Sequence, residues 1–274
     1  MIAVLRTELA KQLRRPRTYV ALGIVALIPI IITVALWLSP PDFRGRGGTT
    51  TFFYYATQTG VFIPAVSLVV LSRLLLPFVV AVFAGDAIAA EGNWGTLRYL
   101  LVRPVRRGRV FWAKLITVIF FAAVGALLIV VTGLIAGTLA FGWNELPPIA
   151  AIFGFDQGLG EITRNMFLAT FYVAWCMAAA GAFAFMVSTM TDVPAGAIGA
   201  GFGLFMTSQI VDAIEPLDSF RSILPTHYLE AWTSMFNPTY DGGEILTGIL
   251  IQIPYVIVFC AIGWWWFRRR DIKS

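Results

Sequence analysis

Residues 85–114 read GDAIAAEGNWGTLRYLLVRPVRRGRVFWAK and concentrate six of the chain's twenty Lys and Arg residues around Glu91, Trp94 and Tyr99. Aromatic anchors among guanidinium groups suit docking onto another protein, and a basic loop equally suits lipid phosphates. No G-x-x-x-x-G-K-[ST] phosphate loop or other nucleotide cradle occurs, so an ATP-driven motor acting on this loop has to be a separate polypeptide. Asp212, Glu215, Asp218, His227 and Glu230 lie near one another in sequence but match no catalytic spacing. His227 is the one histidine; with Glu230 it suits a metal or a proton shuttle, or else a structural or solvated role. Cys176 and Cys260 fall inside apolar runs without metal-site spacing and read as small buried hydrophobes. Neither a catalytic residue nor a metal ligand set is assigned.

Arg73 is a charge inside an apolar run, where its cost ranges from about 3 to well over 10 kcal/mol depending on snorkelling and water. It needs a partner or a wet cavity. Pro77, four residues on, has no N–H for the residue-73 carbonyl, so a kink is expected where the charge sits. Two readings stay open: Arg73 and Pro77 line a pathway that attracts an anionic head group, or Arg73 snorkels or pairs with an acid.

The elements that hold these residues follow from composition. With 58% hydrophobic and 13% charged residues and a mean hydropathy of +0.80, the chain has too little polar surface for a soluble globule. A span needs roughly 20 apolar residues. Six runs qualify: 18–38, 61–84, 115–141, 166–190, 194–211 and 245–267, the fifth being the shortest. They are continuously apolar where barrel strands would alternate, so the fold class is all-α: a polytopic bundle of six transmembrane helices.

Cations set the orientation. Fifteen Lys and Arg residues fall in the N-terminal segment, the second-to-third loop and the C-terminal tail, against four (Arg44, Arg46, Arg164 and Arg221) in the alternate connections. Both termini are therefore expected in the cytoplasm, with the chain in the cell membrane, and an even number of spans agrees. The first run exceeds a typical signal-peptide core and no A-x-A-like site follows, so it reads as a retained anchor.

In residues 1–16, Ile2, Leu5, Leu9 and Leu13 recur at helical spacing, while Arg6, Glu8, Lys11, Gln12 and Arg14 fill the other face. This is either an interfacial amphipathic helix, ended by Pro16 and holding anionic lipid with its cations, or a positively charged topology signal. In residues 212–244, Tyr228, Leu229, Trp232, Met235 and Phe236 repeat at helical spacing between Pro216, Pro225 and Pro238. An interfacial or re-entrant helical connection between the fifth and sixth spans is expected, shaping one mouth of a pathway. Gly199, Gly201 and Gly203, and the pairs Gly196/Ala200 and Gly133/Gly137, suggest close helix packing and not a dinucleotide site.

This layout resembles the permease subunit of ABC-2 type ABC transporters, over essentially the whole chain. The specific match is Glu91, Gly95, Thr96, Leu97, Leu100, Leu101, Pro104, Arg107 and Lys114, similar to the family's E-x-x-x-G-T-L…L-L…P-x-x-R…K pattern. Asn93-Trp94 and Arg103 depart from it. The resemblance implies one ABC-2 type transmembrane domain over residues 1–274, paired with a second copy or a related permease. Two ABC ATP-binding subunits would carry ATP and Mg, and this chain would bind no cofactor itself. It also implies a coupling helix within residues 92–104 that docks in a groove on each ATPase.

The residues suit such a helix: Glu91 near an N-terminus, Asn93 as cap, residues 96–102 free of Gly and Pro, and Arg103 extended before Pro104. Trp94, Leu97, Tyr99 and Leu100 supply anchors, and Arg98 and Arg103 supply charge. Export of a hydrophobic or amphipathic substrate by alternating access is the implied function, with membrane lipids and no nucleic acid as further partners. An ion-driven secondary transporter and a lipid-modifying membrane enzyme are the alternatives; the former normally uses an intramembrane acid or His, and the sequence places none centrally.

Orientation is directly testable. In a background with Cys176 and Cys260 replaced by Ala, a single cysteine at position 106 is expected to resist an impermeant maleimide in intact cells and to react after permeabilisation. Labelling from outside would invert the topology.

Overall fold

The computed structural model describes residues 2–40, 49–93, 106–145, 157–236 and 242–269. Regular structure among them is helical, with no strand. The helices are α1 (Ile2–Leu13), α2 (Pro16–Leu38), α3 (Thr49–Gln58), α4 (Ile63–Arg73), α5 (Leu75–Asn93), α6 (Arg107–Phe141), α7 (Leu159–Cys176), α8 (Ala178–Met190), α9 (Pro194–Asp212), α10 (Asp218–Arg221) and α11 (Gly242–Arg269). Six stretches are long and apolar enough to cross a membrane: α2, α5, α6, α7 with α8, α9 and α11. The protein is a multi-pass membrane protein. Large apolar side chains such as Leu27, Ile31, Leu250 and Ile257 stay exposed on α2 and α11, as a lipid solvent permits.

α1 ends before Pro16, which opens α2 at its first turn, where a missing N–H costs nothing. The Thr18 hydroxyl closes the corner by donating to the Gln12 carbonyl at 2.7 Å. The third and sixth expected spans form with longer ends, α6 starting at Arg107 and α11 running from Gly242 to Arg269. The fourth begins seven residues earlier than expected, at Leu159, and bends at Met177 between α7 and α8.

The second expected span, 61–84, is not one helix. A 3-10 turn at Gly60–Phe62 leads into α4, the backbone breaks at Leu74 (φ −133°, ψ −60°), and α5 runs nine residues past residue 84, to Asn93. The break lies where Pro77 removes a donor, and the orphaned Arg73 carbonyl accepts a hydrogen bond from Gln209 Nε2 at 2.5 Å. Pro77 interrupts the helix, and the break is tolerated because the lost bond is replaced from α9.

One end of the bundle, the basic end, gathers α1, the start of α6 and the end of α11; there Arg107 Nη1 donates to the Arg268 carbonyl at 2.8 Å. At the far end the backbones of α6 and the Gly60 turn touch. Gly60 N–H donates to the Gly142 carbonyl at 3.1 Å, and a methyl on either Gly60 or Gly137 would overlap the other's backbone. Gly133 lies close to Pro64 in the same seam. Gly201 likewise abuts Ala184, but Gly196, Gly199 and Gly203, also expected to pack closely, face open space.

Of the two expected forms of the connection between α9 and α11, interfacial or re-entrant, the structure takes the one that turns inward. The Tyr255 hydroxyl donates to the Ile223 carbonyl at 2.9 Å and Gln252 Nε2 to the Pro225 carbonyl at 2.6 Å, and both donors lie near the middle of α11's 28 residues. Trp232 and Phe236, read from sequence as facing an interface, sit in a 3-10 turn and are fully buried, with Phe236 packed on Phe62. The helical spacing was a signature of core contact.

Gly137→Ala is expected to destabilise the protein by about 1–3 kcal/mol through overpacking and to lower its Tm by several degrees, whereas Gly196→Ala leaves Tm unchanged or slightly raised. Thermal unfolding in detergent checks the pair, and equal Tm values would refute the seam.

Candidate functional site

Two polar clusters interrupt the apolar bundle. The first, at the basic end, joins α1 to the two helices that flank residues 94–105. Lys114, on α6, keeps 3% of its side chain exposed, and Glu91, on α5, keeps 2%. Their Nζ and Oε1 lie 2.8 Å apart. Lys114 Nζ also donates to Glu8 Oε2 at 3.0 Å and to the Ala87 carbonyl at 2.9 Å, so each of its three protons has an acceptor. Glu91 accepts a second cation, Lys11 of α1.

One turn earlier, Asp86, also 2% exposed, binds Arg15 Nη1 at 2.8 Å and both terminal nitrogens of Arg17, at 2.7 and 2.6 Å. Burial lowers the pKa of the Arg15 guanidinium and Asp86 is the first group to oppose this; it stays charged at neutral pH. Three carboxylates and four cations thus meet where the apolar core ends. Breaking such a pair by removing one partner costs about 3–5 kcal/mol, because the other charge is left buried.

This arrangement revises the expectations for α1 and Glu91. Lys11 and Arg15 turn toward protein carboxylates, while Arg6 and Arg14 remain exposed. Glu91 and Asn93 lie in the last described turn of α5, and the rest of the expected coupling segment lies outside the described residues. Lys11 and Lys114 compensate the buried Glu91 carboxylate. Trp94, Gly95, Thr96, Leu97, Arg98, Tyr99, Leu100 and Arg103 lie outside the described residues.

The second cluster sits about half-way up the bundle, at the α4–α5 break. Arg73 is not enclosed: 56% of its side chain is exposed, and its Nε donates to Glu230 Oε1 at 2.5 Å. His227 Nδ1 lies 2.6 Å from Asp212 Oδ1, and Arg221 Nε lies 3.5 Å from the same oxygen. Ser208 and Thr226 share a hydroxyl hydrogen bond at 2.6 Å. A cavity of about 280 Å³ is lined by Arg73, Gln209, Asp212, Arg221, His227 and Glu230, among others. The inward fold of the connection carries His227 and Glu230 to the side of Arg73, where Asp212 at the end of α9 also lies, a proximity the sequence reading did not anticipate. Among the described residues no group of three or more His, Cys, Asp or Glu is suited to a metal, and the side chains of Glu215 and Asp218 lie outside the description.

Comparison with known proteins follows this geometry. A family model described as "Protein of unknown function (DUF2705)" matches residues 26–273. The chain belongs to the DUF2705 family. It is similar to the "Uncharacterized membrane protein YdbK" of Bacillus subtilis (strain 168), 27% identical over 209 residues that cover 73% of this chain and 79% of the relative. It is also similar to the "Uncharacterized protein YhcI" of the same organism, 26% identical over 204 residues, covering 70% of this chain and 63% of that relative, less than two thirds of its length.

Sequence reasoning on this DUF2705 protein missed Asp86 and Gln209, and read Glu8 only as part of the polar face of α1. For Asp86 the signal was present: an acid at the end of an apolar run, facing a large cation excess, implies an ion pair. Gln209 had none, since only the fold brings it to the Arg73 carbonyl.

Lys114→Met is expected to lower stability by about 3 kcal/mol or more, and Glu91→Gln by a similar amount, with the double variant less destabilised than the sum. A double-mutant cycle on Tm checks this; additive losses would show that the two groups do not interact.

Proposed function

We propose that this chain is the transmembrane permease subunit of an ATP-driven transporter of the ABC-2 type, exporting a hydrophobic or amphipathic substrate by alternating access. In this reading it lies in the cell membrane with the basic end and both termini in the cytoplasm. It pairs with a second permease, and separate ATP-binding subunits bind ATP and Mg and dock on residues 92–104.

The observation that supports the reading is the Lys11–Glu91–Lys114–Glu8 network, built around the buried Glu91–Lys114 pair. It ties α1, α5 and α6 into one unit around residues 94–105, so a push on that segment reaches both flanking helices and the surface helix together. The enclosed Glu91–Lys114 pair at its centre resists sliding because separating it exposes charge to a low-dielectric interior. A loop that served only as a topology signal would need no such brace.

One observation favours a second reading. Asp212, His227 and Glu230 at mid-height are groups that an ion-driven transporter uses for proton coupling. Vesicles containing this chain alone separate the two: uptake driven by a pH gradient without ATP belongs to the second reading.

For the first reading, the test is replacement of Gly95 and Thr96 by Leu and Arg in the assembled complex. ATP hydrolysis is expected to persist while substrate-stimulated hydrolysis and transport fall by about tenfold or more, the size expected for loss of a docking anchor. Unchanged coupling in a correctly inserted complex would overturn the assignment.

A further inference from the structure

A guanidinium at mid-height in an apolar bundle, 56% exposed at its side chain, cannot be left against hydrocarbon. Glu230 satisfies part of its need, by a single bond to Nε. Among the described residues neither terminal Nη group of Arg73 has a hydrogen-bond partner. The other guanidinium of the cavity, Arg221, is matched by Asp212, which also holds His227. Arg73 is thus the group with spare donors, and its planar pair of Nη groups fits two oxygens of a phosphate or carboxylate.

The surroundings select an amphiphile over a soluble anion. The cavity of about 280 Å³ is large enough for a headgroup but not for a drug-sized molecule. Next to it, Leu74, Ile210, Ile214 and Ile223 are exposed apolar side chains, a surface along which an acyl tail can lie. Headgroup and tail requirements meet at one place.

We infer that the cavity at the α4–α5 break binds the anionic headgroup of an amphiphile on the Arg73 fork, with Glu230 as a tethered anion that the headgroup displaces. Glu230 holds the arginine when the site is empty and competes with the ligand for it. The inference names a substrate class for the proposed permease and in that sense rests on that reading. Its readout, binding by this chain alone, needs no ATPase, so the coupling test and this one fail independently.

The experiment is native mass spectrometry of the purified chain with dioleoyl phosphatidic acid, dioleoyl phosphatidylcholine and inorganic phosphate. Arg73→Gln is expected to reduce the preference for phosphatidic acid over phosphatidylcholine by about tenfold, the scale of one lost charge-assisted pair. The change on substitution is the readout, because exposed Arg6 and Arg14 of α1 offer acidic lipid a second place. Arg73→Lys keeps the charge without the fork and should lose part of the preference. Glu230→Gln should bind phosphatidic acid several-fold more tightly than the unaltered chain, and millimolar inorganic phosphate should not displace the lipid. An unchanged preference in both Arg73 variants, or weaker binding by Glu230→Gln, would overturn the proposal. Displacement by inorganic phosphate would overturn the amphiphile assignment. If Arg73→Gln does not fold, the Arg73→Lys and Glu230→Gln measurements decide.

Discussion

Everything at the basic end depends on the contact between the Lys114 ammonium and the Glu91 carboxylate. Each is almost wholly enclosed, and neither tolerates enclosure alone. Because α1 contributes Glu8 to one and Lys11 to the other, the surface helix is held by ion pairs as well as by Leu9, which packs on the core, while Ile2 and Leu13 remain exposed. Asp86 repeats the device with Arg15 and Arg17, pinning the corner between α1 and α2. A greasy bundle thereby acquires a specific polar seam, in which register is set by charge pairing and not by interchangeable aliphatic contacts.

The second polar region answers a different constraint. Pro77 deprives the Arg73 carbonyl of its helical donor, and a bare carbonyl at that depth is costly. Gln209 supplies the donor, and that need ties α9 to the break. The connection that follows then folds inward, anchored on the middle of α11 by Gln252 and Tyr255, and delivers Glu230 to the arginine. One proline therefore accounts for a broken helix, the position of a neighbouring helix end and the opening of a polar cavity.

Much of this was legible in the chain. Apolar run length gave the six crossings, the Pro77 spacing gave the break, and Gly133 and Gly137 marked a real close approach. What failed did so for physical reasons. The end of α5 was misjudged because apolar run length stops at residue 84, whereas the helix continues wherever its polar residues find partners; Asp86 and Glu91 find them on α1 and α6. The Trp232 and Phe236 spacing was read as a surface pattern because periodicity reports which side is apolar, not whether protein or lipid covers it. Asp212, His227 and Glu230 seemed peripheral because a connection's depth is a tertiary property, invisible to hydropathy.

The glycine seam at the far end has a mechanical corollary. With the Gly60 turn lying on the α6 backbone near Gly137 and bonded to Gly142, the start of α4 and the end of α6 are pivoted together at one tip. α6 alone is 35 residues long, roughly 50 Å at 1.5 Å per residue. A small angular swing of such an arm becomes a wide sweep at its basic end, where Lys114 couples it to α5 and α1. The break at Leu74 sits between pivot and basic end, where the stiffness of a continuous helix would otherwise oppose bending.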